Sequence, residues 1–162
     1  MWFSPSKGSL HFEEVLEFIK EELERRSQET YRLMVGCDSH TRGRTTYVTA
    51  IILHRVGKGA IFFYHKNTEK KVYSLSQKIY TEAISSLIVA TQIAEYLEIE
   101  YDSDKIEIHV DMGEQGDTRK LIKEVVGMVV GSGFPCMIKP ESIAATWCAD
   151  RFSKVEGETS YV

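Results

Sequence analysis

Four carboxylates, Asp38, Glu82, Asp111 and Asp150, stand where they could act together on one ion or substrate. Asp38 follows the apolar segment Tyr31 to Cys37, and Asp111 follows another, Lys105 to Val110. If those segments are neighbouring strands, about 4.8 Å apart, the two carboxylates face the same small volume. Two anions that close repel each other unless a proton or a cation lies between them. Hard, all-oxygen ligation of this kind suits Mg2+ or Mn2+. Taken singly, each aspartate could equally open a turn. Glu82 falls on the shoulder of a helical apolar stripe, close to Ile79 and Ser86, where a carboxylate needs a partner. A buried ion pair with Arg or Lys is the competing explanation. Asp150 lies late in a segment rich in small residues, where an acid opposes the helix dipole. Lys154, four residues on, could equally pair with it. Cys37, Ser39 and Ser85 have no evident base and orienting group, which argues against covalent catalysis.

The elements that must position these acids follow from the apolar spacing. Phe12, Val15, Leu16, Ile19 and Leu23 recur at helical intervals between charged residues, predicting an amphipathic helix from about His11 to Arg26. Tyr31 to Cys37, Thr45 to His54 and Ala60 to Tyr64 read as strands. The turn signals Arg42-Gly43-Arg44 and Val56-Gly57-Lys58-Gly59 separate them, so they should form an antiparallel meander. Ser74-Leu75-Ser76-Gln77 has the form of a capping box. It opens a helix with Leu75, Ile79, Ala83, Leu87, Ala90, Ala94 and Leu97 inside and Gln77, Thr81, Ser85 and Gln92 outside. Lys105 to Val110 is a fourth strand, and Asp117 is placed to cap a helix that stops at Gly131-Ser132-Gly133. Phe134 to Ile138 is a fifth strand, which Pro135 marks as an edge. A last helix, from Ile143 to about Lys154, is capped by Ser142. The first, fourth and fifth strands should run parallel, and ligands of such sheets gather at the carboxyl ends of parallel strands.

Composition limits the reading further. With 162 residues, 43% hydrophobic, the chain is one domain's worth and is not disordered. A net charge of −4 excludes a globally basic binder, but a local basic groove for nucleic acid remains open. No apolar run reaches the roughly 18 residues of a membrane span, and the N-terminal residues lack signal-peptide character. Cys37, Cys136 and Cys148 form no C-x-x-C pair, which points to buried thiols in a reducing, cytoplasmic compartment.

The order β-β-β-α-β-α-β-α, with acids on the first strand, the first core helix, the fourth strand and the last helix, resembles the ribonuclease H-like superfamily. More narrowly, Gly36-Cys37-Asp38-Ser39, Thr81-Glu82-Ala83, His109-Val110-Asp111-Met112-Gly113, Ile138-Lys139-Pro140 and Ala149-Asp150 are similar to the YkuK-type group of bacterial ribonuclease H-like proteins. The resemblance covers residues 31–154, with residues 1–28 as an N-terminal helical extension, all within one domain, 1–162. It implies an α/β fold with a mixed five-stranded sheet flanked by helices. It also implies a two-metal site in which Asp38 and Asp111 bridge two Mg2+ or Mn2+ ions, Glu82 binds one and Asp150 the other. Asp38-Ser39-His40 departs from the Asp-x-Glu of the superfamily's proofreading exonucleases, and the basic handle of many ribonucleases H is absent.

The expected activity is metal-dependent hydrolysis of a phosphodiester in RNA, DNA or a hybrid. Two alternatives stay open: a non-catalytic module binding nucleic acid or protein, and a hydrolase of small phosphate esters. His40, Arg42, Arg44, Lys139 and Lys154 are candidate substrate contacts, with Lys66, Lys70 and Lys71 as further groove residues. His109, on the Asp111 face, reads as a core histidine. The apolar stripe of the first helix could pack on its own sheet or form a homodimer face.

Overall fold

The computed structural model describes residues 1–100, 105–113 and 119–139. Its frame is a meander of three long strands. β3 (Tyr31–Thr41), β4 (Thr45–Arg55) and β5 (Gly59–Glu69) pair antiparallel along their whole length, from Tyr31↔Arg55 to Thr41↔Thr45 and from Thr45↔Glu69 to Arg55↔Gly59. Gly43 turns the first hairpin at φ 66°, a left-handed conformation that glycine adopts without a Cβ penalty. The strands run further than the apolar pattern suggests. Asp38, Ser39 and His40 do not leave β3 for a turn but pair with Val48, Tyr47 and Thr46. The polar residues His65 to Glu69 likewise continue β5, because backbone hydrogen bonding to β4 outweighs their side-chain polarity.

β6 (Ile106–His109) runs parallel to β3, and β7 (Cys136–Met137) runs parallel to β6. β7 is an edge, as Pro135 signals; the Pro135 carbonyl accepts a hydrogen bond from the Ile108 amide at 3.0 Å. Among the described residues the sheet has seven strands, not the expected five. β1 (Trp2–Ser4) and β2 (Gly8–Leu10) form a hairpin that extends the sheet beyond β5, giving the order β2-β1-β5-β4-β3-β6-β7. Segments this short carry no readable periodicity. What holds the hairpin is tertiary: Trp2 is buried and stacks on Phe12 with ring centroids 5.3 Å apart.

α1 (Phe12–Arg25), α2 (Leu75–Tyr96) and α3 (Ile122–Gly131) all contribute to one core. Val15 and Ile19 of α1, Ala90 and Ile93 of α2, and Val125 and Val129 of α3 pack with Leu33, Val35, Ile51, Phe63 and Ile108 of the sheet. A smaller cluster, Met34, Val48, Ala50 and Ile52, lies on the opposite face, with Phe62 and Tyr64 packed against it. The Ser74 capping box opens α2 as expected, its hydroxyl accepting the Gln77 amide at 3.3 Å. The rest of α2 follows the expected stripe: Ile79, Ala83 and Ala90 are buried, as are Glu82 and Ser86 on its shoulder, while Leu75 at the helix start is exposed. The expected last helix, with Asp150, Lys154 and Cys148, and the Asp117 cap lie outside the described residues.

α1 is tied to the sheet by a polar contact as well as by its apolar stripe. Glu22 is 6% exposed. It pairs with Arg25 and with Arg26, whose Nε lies 3.0 Å away, and it accepts a hydrogen bond from the Tyr31 hydroxyl at 3.0 Å. Burial alone would raise the Glu22 pKa, but the hydrogen bonds from Arg25 and Tyr31 and the charges of both arginines bring it below the usual value. A lowered folded-state pKa gives stability that is present above the unfolded-state value, about 4.3, and is lost as the pH falls through the folded value. Replacing Glu22 by Gln should cost about 1–3 kcal/mol at pH 7 and reduce the acid-side loss of stability. Urea denaturation of both proteins between pH 3 and pH 7 measures this; equal stability at pH 7 would refute it.

Candidate active site

The candidate site forms where the parallel strands end. β3 and β6 pair from Leu33↔Ile106 to Gly36↔His109. Two residues past that last pair stand Asp38 on β3 and Asp111 after β6. Continuing the register sets them opposite each other, on strands about 4.8 Å apart. Asp111 is partly exposed, and the Lys139 ammonium lies 2.7 Å from its Oδ1. The chain just after β7 is placed for this contact, since the Lys139 amide donates to the Met112 carbonyl at 2.7 Å.

Glu82 approaches from α2. It is 7% exposed, and its Oε1 accepts a hydrogen bond of 2.5 Å from Ser39. Burial is the main cause that pushes its pKa up to about 8. The negative charges of Asp38 and Asp111 push the same way, against the Ser39 hydrogen bond and the charge of Lys78. Glu82 is therefore an acid that feels the charge of both aspartates. Strand alternation sets the side from which it does so. Leu33, Val35 and Cys37 face the helices, and Ser39 follows them, whereas Asp38 has the opposite parity. Glu82 and Asp38 therefore approach from opposite faces of β3, and what couples them is charge. In keeping with this, no group of three or more His, Cys, Asp or Glu side chains among the described residues could hold a metal ion. Asp150 lies outside those residues.

The flanking candidates are unevenly placed. Arg42 and Arg44 are exposed on the β3–β4 turn, and Lys70 and Lys71 are exposed beyond β5. His40 shares the parity of Asp38, and its Nε2 is buried with no hydrogen-bond partner among the described residues. His109 is buried, as a core histidine would be. Lys154 lies outside the described residues. Two features escape a reading of the sequence. Ser39 serves as the hydrogen-bond donor to Glu82, and Lys139 is the immediate counter-ion of Asp111. Both depend on contacts between residues far apart in the chain, although the short spacing Asp38-Ser39 would have been a cue for the first.

A mixed sheet with carboxylates at the ends of adjacent parallel strands, and a third on the helix after the meander, defines a ribonuclease H-like protein. Residues 14–154 match the Ribonuclease H-like family, and the chain belongs to it. It is 30% identical to "Uncharacterized protein YkuK" of Bacillus subtilis (strain 168), over 95% of this chain and 97% of that one. No solved structure matches it. No helix among the described residues is long and apolar enough to cross a membrane.

The raised Glu82 pKa fixes the sign of a pH effect. An acid whose folded-state pKa lies above its unfolded-state value binds extra protons in the native state, so stability falls as the pH rises between the two. For Glu82 that window runs from 4.5 to about 8. In EDTA, Glu82→Gln should gain stability over the wild type at pH 9 and little at pH 4.5. Denaturant midpoints at the two pH values test this; a variant less stable than the wild type at pH 9 would show that the ionised carboxylate is held by a favourable partner.

Proposed function

We propose that this chain is a metal-dependent phosphodiester hydrolase acting on nucleic acid, with Asp38, Glu82, Asp111 and Asp150 as its carboxylate set. The observation that carries the reading is the β3–β6 register, which leads Asp38 and Asp111 to equivalent positions on adjacent parallel strands. The charge of both aspartates acting on buried Glu82 supports it. The donor chemistry fits Mg2+ or Mn2+, being all oxygen and anionic. In this reading Asp38, Glu82, Asp111 and Asp150 would hold the ions, as the family resemblance implies. When bound, such ions activate a water and stabilise the leaving oxygen of a phosphodiester. The protein's own part is to hold the acids. Ser39 orients Glu82, and Lys139 offsets the charge of Asp111. Arg42 and Arg44, exposed on the turn beyond Asp38, are available to the phosphate backbone. Free thiols at Cys37 and Cys136 agree with a cytoplasmic setting.

The Lys139–Asp111 ion pair also favours the second reading, a binding module without catalysis, because a lysine that neutralises Asp111 relieves the need for a metal. Metal response separates the two. A cation that binds only the folded form stabilises it by about 2.7 kcal/mol at a hundredfold excess over Kd. Mg2+ or Mn2+ should raise the Tm of the wild type, and Asp111→Asn should lose most of that rise; a wild type indifferent to both metals would favour the module. Activity is tested with labelled single strands, duplexes, hybrids and junctions in each metal. Asp38→Asn should abolish cleavage while leaving binding largely intact, since phosphate contacts by basic groups supply most of the affinity. Cleavage undiminished in a highly purified Asp38→Asn preparation would assign the activity elsewhere.

A further inference from the structure

At the end of the sheet remote from Asp38, the last turn of α1 and the turns β1–β2 and β4–β5 enclose a cavity of about 270 Å3. Five cations and one carboxylate line it: Lys7, Arg25, Arg26, Arg55, Lys58 and Glu22. On a chain of net charge −4, that is a strong local excess of positive charge.

Two carboxylates hold four of these cations side by side without neutralising them. Glu22 engages Arg25 through Oε2 and Arg26 through Oε1, the latter at 3.0 Å. Glu29 engages Arg55 at 3.1 Å and Lys58 at 3.0 Å. Lys7 is held differently, with its ammonium 4.9 Å from the centre of the Phe18 ring. Arg26 and Arg55 make these ion pairs through Nε. A guanidinium carries five N–H donors, so each has donor capacity beyond one such contact. Arg25 and Lys58 are more than half exposed. Glu22 also accepts the Tyr31 hydroxyl, so both of its oxygens are engaged within the protein. The wall therefore presents arginine forks and lysine point charges, a combination suited to phosphate oxygens. Leu53 and Ile61 close the cavity on its apolar side.

We propose that this cavity is a phosphate-binding site, taking the phosphates of a nucleotide or of a nucleic-acid strand. It is distinct from the carboxylate site. Tyr31, which lines it, is seven residues from Asp38 along β3, roughly 23 Å at about 3.3 Å per residue. One strand of a duplex would span that distance in about seven nucleotides, at about 3.4 Å of helix axis for each backbone charge. Phosphate binding here does not depend on cleavage at the acids.

The test uses two probes, inorganic tripolyphosphate and a labelled single strand of about 12 nucleotides. Both are measured in EDTA on the Asp38→Asn protein, so that a failed nuclease assignment leaves the result readable. The double variant Arg25→Ala/Lys58→Ala should weaken binding by about tenfold or more and reduce the salt slope by about two. Each carboxylate keeps a partner in this variant, Arg26 and Tyr31 on Glu22 and Arg55 on Glu29. Should its melting curve nonetheless be lost, Lys7→Ala, whose ammonium rests on Phe18, reads the same site. Lys123→Ala, exposed on α3 and outside the cavity lining, should leave tripolyphosphate binding unchanged. Loss confined to tripolyphosphate would assign the site to free phosphates, and loss confined to the strand would assign it to the backbone. Absence of binding by both probes at low salt, or equal affinity in the cavity variants, would overturn the proposal.

Discussion

The parallel pairing of β3 with β6 is the constraint on which the rest of this structure depends. Four rungs, Leu33↔Ile106 to Gly36↔His109, fix how the two strands lie against each other and so where Asp38, within β3, stands relative to Asp111, just past β6. The rungs are apolar on the helix side, where Val35 and Ile108 are fully buried. On the other side Arg32 clamps Glu107 through Nε at 3.0 Å and Nη2 at 2.9 Å. A slip of one residue would send every side chain of a strand to the opposite face. It would bury Asp111 where Val110 now packs, so the core enforces the register that the acids need.

Charged groups cluster at both ends of that frame. Asp38 and Asp111 stand past the last β3–β6 rung, with Lys139 against Asp111, and a second cluster, rich in cations, stands where β3 begins, around α1 and the β4–β5 turn. At the acidic end, mutual repulsion is accepted for Glu82, and Ser39 and Lys78 offset only part of it. At the basic end, Glu22 and Glu29 act as organisers, each holding two cations in place. α1 belongs to this second arrangement. Its apolar stripe closes the core, and its last turn carries the arginines that tie it to Tyr31 through Glu22.

Much of this was legible in the residues. The meander, the parallel strands, the Ser74 cap and the burial of Glu82 all follow from local patterns: β-branched runs, turn signals, and helical spacing. What was not legible depends on partners distant in the chain. The β1–β2 hairpin is too short to show a period and exists because Trp2 finds Phe12 and β1 finds β5. The strand character of Asp38-Ser39-His40 comes from β4, not from their own propensities. The same is true at the site. The acids stand out by type and position, but the hydrogen bond from Ser39 to Glu82 and the pairing of Lys139 with Asp111 required the folded chain.

Cys37 shows what strand alternation does for a side chain next to a reactive centre. It is 1% exposed, on the helix-facing side of β3 and one residue from Asp38, with the Thr49 hydroxyl 3.5 Å from its sulfur. Burial above all, together with the charges of Glu82 and Asp38, drives its thiol far above the ordinary range. Thiolate is the nucleophile that attacks alkylating reagents and peroxide, so this cysteine is shielded both sterically and electronically. Its labelling rate by an alkylating reagent, followed at that residue, is then a clock for the opening of β3, an inner strand of the sheet, read at a cysteine already in the sequence.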